Sequence, residues 1–507
     1  MTKISIDEMA SFCKKKGFIF QNSEIYGGMA GFFDYGPAGS EMKKNIKDYW
    51  WKYHVQDRED VVGIDGAIIT HPKVWVASGH VSSFQDIMLE CRKCKFQERA
   101  DTFIEDKLDI AADGLKAKDL NKLVSENELV CPKCKSEFKE AQDFNLMFET
   151  QVGPKQDSES KAYLRPETAQ LMFTNFKLAQ EAARMKLPFG IAQMGRAFRN
   201  EISPRNFLFR CREFEQMEIE YFIHPDKVKE CPYIKEVADY EIIVYSEDMQ
   251  KNKKEAAKMK IKQALDKDII KTGWHAYWLA VEHKWFVDLG VNPDNLRIRQ
   301  HLSDEKSHYA LDTWDLEYNF PFGWKELQGM ANRTDFDLNQ HIKHSDQKLT
   351  MYDQKQKKHI IPYVVAEPSL GVDRSFLVFM FDAYEHDKER GNIVLKLDSK
   401  IAPIKAAVFP LATKLEDEAR EVFDLIKKEF PCKFDRSGSV GRRYARADEK
   451  GIPFCITYDF DSREDKKVTI RNRDTTKQIR VAIRDLKDIL EKLLKGEKLE
   501  KFGKIIQ

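Results

Sequence analysis

Apolar and polar residues alternate along residues 190–222, and this pattern predicts two β-strands joined by a tight loop. The Ser-Pro/Asn cluster at 202–206 is typical of such a loop. Arg199 and Glu201 share one face of the first strand, whereas Phe198 lies on the opposite face. The matching face of the second strand consists of Arg210, Arg212, Phe214, Gln216, Glu218 and Glu220. Such a face can be buried only against a partner with phosphate, a flat ring and a cation, which a nucleotide plus an amino acid provides.

The pattern on either side of this hairpin divides the rest of the chain. Near the N-terminus, a helix at 41–55 precedes an apolar strand that ends at Pro72. A lysine-rich stretch at 251–271 predicts an exposed helix that interrupts the strand-rich pattern, so we interpret 225–298 as an insertion. A solvated helix face is the favoured explanation of these lysines, and contact with a nucleic-acid backbone is the alternative.

Beyond residue 400, apolar strands alternate with amphipathic helices, which predicts a compact α/β module at 401–507. The join to the preceding part is expected at 391–400. This module carries 25 lysines and arginines against 19 aspartates and glutamates, so its net charge is +6 and that of the remaining chain is −5. The excess is a mild indication of a polyanionic partner, and ordinary surface scatter explains it equally well.

The chain of 507 residues has a formal net charge of +1 and an ordinary composition for a soluble protein with two or three domains. No apolar run approaches the roughly 20 residues of a membrane span, so no membrane association is expected. The N-terminal segment lacks the apolar core of a signal peptide. Nine cysteines without a secretion signal indicate a reducing compartment, and the expected location is the cytoplasm.

Four of the nine cysteines form two CxxC pairs, Cys91 with Cys94 and Cys131 with Cys134. Lysine-rich pairs of this kind are typical of tetrahedral thiolate coordination of zinc. The 36 residues between the pairs exceed the usual zinc-ribbon spacing, so a polar excursion must loop out between them. Degenerate pairs that bind no metal are the alternative. A metal held by four thiolates would be structural, because no open coordination position remains.

Two other segments carry single acids in positions that suit a ligand. Pro166 starts a helix with Glu167 in its first turn, and an ordinary helix cap is the alternative explanation of this acid. The turn-rich segment 320–329 approaches a strand that carries Glu326. Taken alone, this second pattern indicates little.

A strand that contains Glu367 and Ser369 leads through Gly371 into an apolar helix that begins with Arg374. An arginine at a helix N-terminus opposes the helix dipole, so its presence there indicates a bound anion. Gly371 permits a ligand to approach the backbone closely. A pairing of Arg374 with a surface carboxylate is the alternative.

These motifs together resemble those of class II aminoacyl-tRNA synthetases, and specifically the dimeric type of glycyl-tRNA synthetase. The segment 41–72 is similar to the first class motif, the hairpin at 190–222 to the second, and GVDR with its helix to the third. The glycyl type is indicated by YGPAG, LRPETAQ, PRNFLFRCREFEQMEIEYF, FPFGWKELQG, NRTDFDL and AEPSLGVDR, which occur in family order. The resemblance covers nearly the whole chain, and 441–457 is similar to part of the family's anticodon-binding domain.

The resemblance implies an α+β fold class, with the antiparallel-sheet catalytic domain of class II synthetases, insertions, and a C-terminal α/β anticodon-binding domain. The expected divisions are the first part of the catalytic domain at 1–90, a zinc-ribbon-like CxxC insertion at 91–150, catalytic motif 2 at 151–224, a helical insertion at 225–298, catalytic motif 3 at 299–395 and the anticodon-binding domain at 401–507. It also implies a homodimer, because the first class motif builds the dimer interface in this family.

For the nucleotide, the resemblance implies ATP with Mg²⁺, and Arg199 and Arg374 as the catalytic residues. Arg199 would neutralise the α-phosphate, and Arg374 would hold the γ-phosphate of a bent ATP. Glu201 would help to select the adenine edge, Phe214 would stack on the adenine, and Glu326 would meet ATP and its Mg²⁺. The implied ATP-binding set is Arg199, Asn200, Glu201, Phe209, Arg210, Cys211, Arg212, Glu213, Phe214, Glu326, Leu327, Gly371, Val372, Asp373 and Arg374.

For glycine, the resemblance points first to Glu167, Glu218, Glu367 and Ser369. The implied glycine-binding set is Arg99, Glu167, Phe214, Glu215, Gln216, Met217, Glu218, Glu367, Pro368, Ser369, Leu370 and Gly371. The carboxylates would hold the ammonium group and fill the space that a β-carbon needs. Larger amino acids would then be excluded sterically, so no editing domain is expected.

The implied activity is that of a glycine--tRNA ligase, which forms glycyl-adenylate and pyrophosphate and then transfers glycyl to the 3′ end of tRNA(Gly). Positioning and charge stabilisation suffice for this chemistry, and no side-chain nucleophile is needed. Seryl, threonyl and prolyl synthetases are same-class alternatives, and the LRPE, FEQME and EPS motifs argue against them. A catalytically inactive, synthetase-like RNA-binding or accessory protein is a further alternative. Such a protein is expected to lose Arg199 or Arg374, and both are present.

Overall fold

A nine-stranded sheet forms the centre of the computed structural model, which describes residues 4–506 except 111, 113, 155–159, 304 and 306–311. Its strands in chain order are β1 Val61–Ile64, β2 Phe189–Phe198, β3 Glu213–Ile223, β4 Glu241–Tyr245, β5 Ala257–Lys260, β6 Leu296–Gln300, β7 Thr313–Phe320, β8 Gly323–Ala331 and β9 Tyr363–Gly371. Their spatial order is β5-β4-β6-β7-β8-β9-β3-β2-β1. The β1–β2 and β4–β6 pairs are parallel, and the other neighbours are antiparallel.

The register of the central strands gathers polar residues from distant parts of the sequence. Glu218 of β3 lies opposite Ser369 of β9, and Glu367 of β9 lies opposite Ala331 at the end of β8. Because side chains on one face of neighbouring strands lie close together, these residues share one surface. The middle of the sheet is therefore where the predicted motifs meet.

The predicted hairpin forms, but its connection is longer than the alternation suggested. β2 and β3 leave residues 199–212 outside the regular strands. The Arg212 side chain donates hydrogen bonds to the carbonyl oxygens of Glu201 at 2.9 Å and Ala30 at 3.1 Å. These tertiary contacts hold the arginine away from the strand face on which a strict period of two would place it.

Three helices position the ends of the central strands, namely α1 Pro37–Trp51, α2 Gly273–Asp288 and α3 Val372–Ala383. Helix α3 continues directly from β9, so Arg374 lies in its first turn, as the sequence predicted. Helix α2 is buried around most of its circumference, because its apolar residues are not confined to one side.

The segment 225–298 differs from the exposed helix that its lysines predicted. It contributes β4 and β5 to the edge of the main sheet, and only the short helices Glu247–Lys251 and Ile261–Asp266 flank β5 in the described part of this stretch. Met259 of β5 and Ala264 of the second short helix are buried. Burial of these apolar residues selects the strand and the short helix over one solvated helix, since packing overrides local propensity.

The CxxC segment folds into a small module with its own three-stranded sheet. Gln85–Glu90 is the central strand, between Gln97–Arg99 and Gln142–Asn145. Among the described residues between the two cysteine pairs, Ala100–Leu108 and Ala117–Glu126 are helical. The described part of the excursion that the long spacing required therefore includes two helices, which pack on a separate apolar cluster.

The C-terminal part forms a second sheet with a separate core, and the predicted α/β module is confirmed. Its strands are β10 Ala406–Pro410, β11 Cys432–Phe434, β12 Phe454–Tyr458, β13 Lys467–Asn472 and β14 Gln478–Ala482, in the spatial order β11-β10-β12-β13-β14. Its main helices are α4 Glu416–Ile426, α5 Val440–Asp448 and α6 Leu486–Leu494.

The remaining described elements have at most 11 residues, and the apolar strand predicted to end at Pro72 is divided into β1 and Ile69–Thr70. The other helices are Ile6–Lys16, Pro72–Ala77, His80–Ser83, Ala169–Thr174, Phe176–Ala182, Ile234–Val237, Phe336–Ser345 and Ser462–Asp465. The other strands are Ile19–Gln21, Phe33–Tyr35, Phe148–Gln151, Lys161–Leu164, Met351–Asp353, Lys358–Ile360, Tyr384–Asp387 and Asn392–Leu395. None of the helices in the described ranges combines the length and the apolar character that crossing a bilayer requires.

Candidate active site

A cleft of about 160 Å³ opens where β3, β8 and β9 meet the start of α3. It unites residues from the second and third motifs with the strand that carries Glu326. The lining residues are Arg199, Glu201, Leu208, Phe209, Arg210, Cys211, Phe214, Gln216, Glu326, Leu327, Gly329, Ser369, Gly371, Asp373 and Arg374. Most of the residues that the sequence predicted to bind ATP are therefore brought together.

Two arginines in this cleft are anchored by backbone carbonyl oxygens. Arg199 donates from Nε to the Pro166 carbonyl at 3.1 Å, and its guanidinium lies over the Phe214 ring, 5.2 Å from the centroid. Arg374 donates from Nε to the Phe209 carbonyl at 3.1 Å. Anchoring through Nε fixes the direction of each cation before a ligand arrives, which favours the binding of an anion.

Arg199, Arg374 and Glu326 form the arginine side of the cleft. Glu326 Oε2 lies 3.1 Å from Nη1 of Arg374, and 48% of the Glu326 side chain is exposed, so a ligand can reach it. The Arg374 charge lowers the pKa of Glu326, which keeps this carboxylate ionised. Asp315 on the neighbouring strand β7 was missed by the sequence reasoning, because only the pairing of β7 with β8 places it near Glu326. Burial and, to a smaller extent, the Glu326 charge raise the pKa of Asp315 to about 6.

Glu201 is connected to the CxxC module by alternating charges. Arg210 donates from Nε to Glu201 Oε2 at 2.6 Å, and its Nη2 lies 3.5 Å from Asp86 Oδ2. Asp86 Oδ1 is in turn 3.4 Å from Nη1 of Arg99, which also donates from Nε to Asp101 at 3.0 Å. The structure thus places Arg99 in an ion-pair network outside the lining of the cleft. Its role toward glycine stays a prediction.

Glu215 and Asp373, both predicted to contact substrates, bind protein groups in this structure. Asp373 Oδ2 accepts a hydrogen bond from the Glu215 backbone N–H at 2.8 Å, and its Oδ1 accepts one from the Tyr35 hydroxyl. Lys43 Nζ lies 3.0 Å from Glu215 Oε2 and 3.4 Å from Asp373 Oδ1. This network ties β3 to α3, so it holds the neighbouring Phe214 in place.

Glu167, Glu218 and Glu367, the acids predicted to bind glycine, lie next to the arginine side. They form a carboxylate pocket, which is the carboxylate side of the active site. Glu218 accepts a hydrogen bond from the hydroxyl group of Thr168, and Ser369 lies opposite it on β9. Glu167 Oε2 lies 3.3 Å from Nε2 of His80. Burial and then the Glu167 charge raise the pKa of Glu218, whereas His80 overcomes the effect of burial and holds the pKa of Glu167 well below its usual range. Neighbouring carboxylates in this pocket therefore have opposite pKa shifts.

A buried arginine beneath these acids was not singled out by the sequence reasoning. Arg333 donates from Nη1 to Glu367 Oε1 at 2.7 Å, and from Nε and Nη2 to the two oxygens of Asp337 at 2.7 and 2.8 Å. The motif NRTDFDL contains Arg333 and Asp337, but nothing in its spacing shows that they lie under Glu367. Glu220 of β3, which the alternation placed on the polar face, is also fully buried here.

Comparisons with known proteins identify this arrangement. Residues 148–380 match the model of the tRNA synthetase class II core domain (G, H, P, S and T), and residues 405–493 match that of the anticodon binding domain. The chain is 46% identical over 501 residues to the glycine--tRNA ligase of Caldanaerobacter subterraneus subsp. tengcongensis, with 97% of this chain and 99% of that protein covered. It is 45% identical over 496 residues to the glycine--tRNA ligase of Bacillus thuringiensis subsp. konkukian, with 96% and 99% covered. The chain belongs to the glycine--tRNA ligase family.

A solved structure supports the fold of this glycine--tRNA ligase family member. The prolyl-tRNA synthetase of Cryptosporidium parvum aligns with a TM-score of 0.56 and 14% identity, over 96% of this chain and 75% of that one. At this identity the likeness concerns the fold alone, and the predicted α+β class II architecture is confirmed. The relatives at 45% identity are glycine--tRNA ligases, so they give no support to the seryl, threonyl, prolyl or inactive alternatives.

The four cysteines of this family member converge as their spacing predicted. The sulfurs of Cys91 and Cys134 are 3.4 Å apart, and those of Cys94 and Cys131 are 3.5 Å apart. All four sulfurs lie within 4.8 Å of one another. Four thiol groups at this spacing fit a closed tetrahedral zinc site.

Proposed function

We propose that the enzyme attaches glycine to the 3′ end of tRNA(Gly) at the expense of ATP, and that both chemical steps take place in this cleft. The observation that carries the proposal is that Arg199 and Arg374 share the cleft with Gln216 and Ser369, which border the carboxylate pocket. A place for phosphates and a place for an ammonium group therefore adjoin. Attack of the glycine carboxylate on a phosphate requires this juxtaposition.

In the first step, a carboxylate oxygen of glycine attacks the α-phosphorus of ATP, and the bond from that phosphorus to the bridging oxygen of pyrophosphate breaks. Arg199 would neutralise the α-phosphate and Arg374 the γ-phosphate, so that fixed cations face the charge that develops. Phe214 would stack on the adenine, and Glu201 would select its edge. In the second step, the terminal ribose hydroxyl of tRNA attacks the glycyl carbonyl carbon, and AMP leaves.

Glu326 and Asp315 would hold the Mg²⁺ that accompanies ATP, because carboxylate oxygens are the ligands that this ion prefers. When bound, the ion would offset the charge of the phosphates. The other proposed ATP contacts are Asn200, Phe209, Arg210, Cys211, Arg212, Glu213, Leu327, Gly371, Val372 and Asp373.

Glu167, Glu218, Glu367 and Ser369 would bind the glycine ammonium group and fill the space of a β-carbon. The contacts of one added methylene group change the free energy of binding by only about 1–3 kcal/mol. Steric exclusion of a β-carbon by the carboxylates would therefore provide the stronger selection. The other proposed glycine contacts are Arg99, Phe214, Glu215, Gln216, Met217, Pro368, Leu370 and Gly371.

ATP–pyrophosphate exchange with a panel of amino acids tests this proposal. Glycine should drive exchange, and alanine, serine, threonine and proline should drive it poorly. Charging of tRNA(Gly) by the same preparation should follow. Exchange that serine or proline drives best, or an absence of exchange with any amino acid, would contradict the proposed function.

We further propose that the four cysteines bind one structural zinc ion. Elemental analysis of protein purified with zinc should find about one zinc per chain, as a four-thiolate site requires. The double variant Cys94→Ser/Cys131→Ser should lose the metal, while Cys231→Ser, which lies outside the cluster, should keep it. Wild-type protein without stoichiometric zinc would refute the site.

A homodimer is proposed for the assembly. The first class motif lies at the edge of the main sheet, where β1 is the last strand, and Ile69 and Val76 nearby are 49% and 51% exposed. Sedimentation velocity should show a dimer that Ile69→Asp weakens and that Leu178→Asp, at another exposed apolar position, leaves intact. Monomeric wild-type protein at micromolar concentration would contradict the proposal.

We propose that the chain is divided into segments at 1–90, 91–150, 151–224, 225–298, 299–395 and 401–507. In this division, 225–298 is a mixed helical and strand extension of the main sheet. A cytoplasmic location is also proposed, since all nine cysteines are free of disulfides, as in a reducing compartment.

A further inference from the structure

Glu220 is a buried acid that has no role in the proposed reaction. It lies on β3 two residues beyond Glu218, so both side chains are on the same face of the strand. Its exposed fraction is 0%, and within the described residues neither of its carboxylate oxygens has a hydrogen-bond donor. A buried, ionised carboxylate without a donor is strongly disfavoured, so this side chain needs a proton or a cation.

In the part of the chain that the structure describes, the cations near Glu220 are already engaged by other groups. One carboxylate oxygen from each of Glu218, Glu220 and Glu367 lies within 4.8 Å of the other two. Arg333 is the nearby cation, but it already binds Glu367 through Nη1 and Asp337 through Nε and Nη2. The positive charge of this arginine is therefore shared by two other acids.

Other elements packed around the cluster add acids and two histidines. The Ala169–Thr174 helix is preceded by Glu167, whose partner is His80, and His341 of the Phe336–Ser345 helix binds the neutral side chain of Gln170. Arg165 is buried near Glu218, and its guanidinium donates to the backbone carbonyl oxygens of Arg196 and Gly66. Among the residues that the structure describes here, acidic groups thus outnumber cations around Glu220.

We propose that Glu220 is a positioning residue that carries a proton and donates a hydrogen bond to Glu367. Glu218 and Glu367 are then left as the anions that receive the glycine ammonium, so the inference rests on the proposed function of this pocket. Burial, and then the charge of Glu367, raise the pKa of Glu220 well above its usual range; burial also raises the pKa of Glu367, and the Arg333 charge opposes that rise. Among the three clustered acids, Glu220 holds the proton because Glu218 has the Thr168 hydroxyl as a donor and Glu367 has Arg333, whereas neither oxygen of Glu220 has a donor among the described residues.

A protonated Glu220 would have two effects on glycine recognition. Its O–H would fix the rotamer of Glu367 and thereby place one oxygen toward the ammonium group. It would also reduce the negative charge of the pocket that receives the ammonium group. A neutral amide of the same shape should therefore replace Glu220 with little loss, while an apolar side chain should not.

Glycine-dependent ATP–pyrophosphate exchange with Glu220→Gln, Glu220→Leu and Glu218→Gln tests the inference. Glu220→Gln should keep the KM for glycine within about threefold of wild type, because the amide N–H₂ can still donate to Glu367. Glu220→Leu removes the donor and Glu218→Gln removes an anion, so each should raise the KM for glycine by roughly 10- to 150-fold, as expected for a hydrogen bond to a charged group. The KM for ATP should change little in all three variants.

Infrared difference spectroscopy provides a second readout that a merely structural role would not change. Addition of glycine to wild-type enzyme should perturb the C=O stretch of a protonated carboxylic acid, and Glu220→Gln should lack that band. This measurement remains decisive if Glu220→Leu does not fold.

Three results would overturn the inference. A KM for glycine that rises in Glu220→Gln as much as in Glu218→Gln would show that Glu220 is ionised and binds the ammonium directly. If wild-type enzyme lacks the C=O band of a protonated carboxylic acid, Glu220 is ionised and the inference is wrong. A stoichiometric divalent cation that is lost in Glu220→Gln would assign the cluster to a metal. Failure of the proposed function is distinguishable, because wild type would then show no glycine-dependent exchange.

Discussion

The arginine side and the carboxylate side of the active site hold their charges in different ways. On the arginine side, 27% of the Arg374 side chain and 48% of the Glu326 side chain are exposed. On the carboxylate side, the corresponding fractions are 4% for Arg333, 2% for Asp337 and 10% for Glu367. The first group of charges faces a cleft, and the second is enclosed by the protein.

The two sides therefore depend on the surrounding protein in different ways. Backbone carbonyls orient Arg199 and Arg374, and the acid that pairs with Arg374, Glu326, is 48% exposed, so water can solvate it after the arginine is lost. Arg333 instead neutralises two buried acids, Glu367 and Asp337. Its loss would leave these carboxylates without a counter-ion where water cannot solvate them. We therefore expect variants on the arginine side to lose activity, and variants on the carboxylate side to lose stability as well.

Arg333→Met should distinguish the two sides most clearly, because it has the largest expected effect. Removal of one partner from a buried ion-pair network costs about 3–5 kcal/mol of unfolding free energy. Urea unfolding of Arg333→Met and of the control Arg374→Met measures the difference, since the more exposed pair of Arg374 and Glu326 should contribute about 1 kcal/mol or less. Equal destabilisation by both variants would show that the two sides are not distinct.

Arg199→Ala tests the arginine side through activity. Loss of a fixed group that stabilises transition-state charge should lower kcat for glycine-dependent exchange by roughly 10²- to 10³-fold. Arg196→Ala, three residues earlier on β2 and with an exposed side chain, is the matched control and should retain exchange. Survival of near wild-type exchange in Arg199→Ala would refute the assignment of the second motif.

The pH dependence of stability should separate two acids within the carboxylate side. The folded-state pKa of Glu167 lies below its ordinary value of 4.5, so its contribution is present above pH 4.5 and is lost as the pH falls through the folded pKa. That of Glu220 lies well above 4.5, so its contribution is complete below pH 4.5 and is lost as the pH rises through the folded pKa.

Urea midpoints measured across pH check these signs. Glu167→Gln should flatten the acid limb of the stability profile, and Glu220→Gln should flatten the limb at higher pH. Each tenfold difference between the folded and unfolded acid dissociation constants that a variant removes should change the free energy of unfolding by about 1.4 kcal/mol. The same change of slope in both variants would contradict the opposite directions of the two pKa values.

The smallest effect is expected for an exposed ion pair outside the active site. Lys44 and Asp48 form an exposed pair at 2.9 Å on helix α1, four residues apart. A double-mutant cycle on this pair should give a coupling of about 0.3–0.5 kcal/mol and unchanged exchange. A coupling above about 1 kcal/mol would mean that exposure is a poor guide to the energetic weight of charges in this molecule.

Sequence reasoning predicted the residues that lie within motifs. Arg199, Phe214 and Arg374 line the cleft together, and the CxxC pairs converge, because a short motif carries both its residue types and its local geometry. It failed where a local pattern has more than one solution. The lysines at 251–271 suit a solvated helix, but burial of the intervening apolar residues produced a strand and a short helix instead.

The sequence by itself determined the family, the class II fold and the chemical types at the active site, since these follow from ordered motifs. Only the tertiary structure decided which charges are neighbours. Arg333, Asp315 and Glu220 acquired their places from strand register and burial, which join residues far apart in the chain. The physical reason is that the effect of a buried charge depends on its distance to other charges and on the exclusion of water. The alternation along one strand specifies neither quantity.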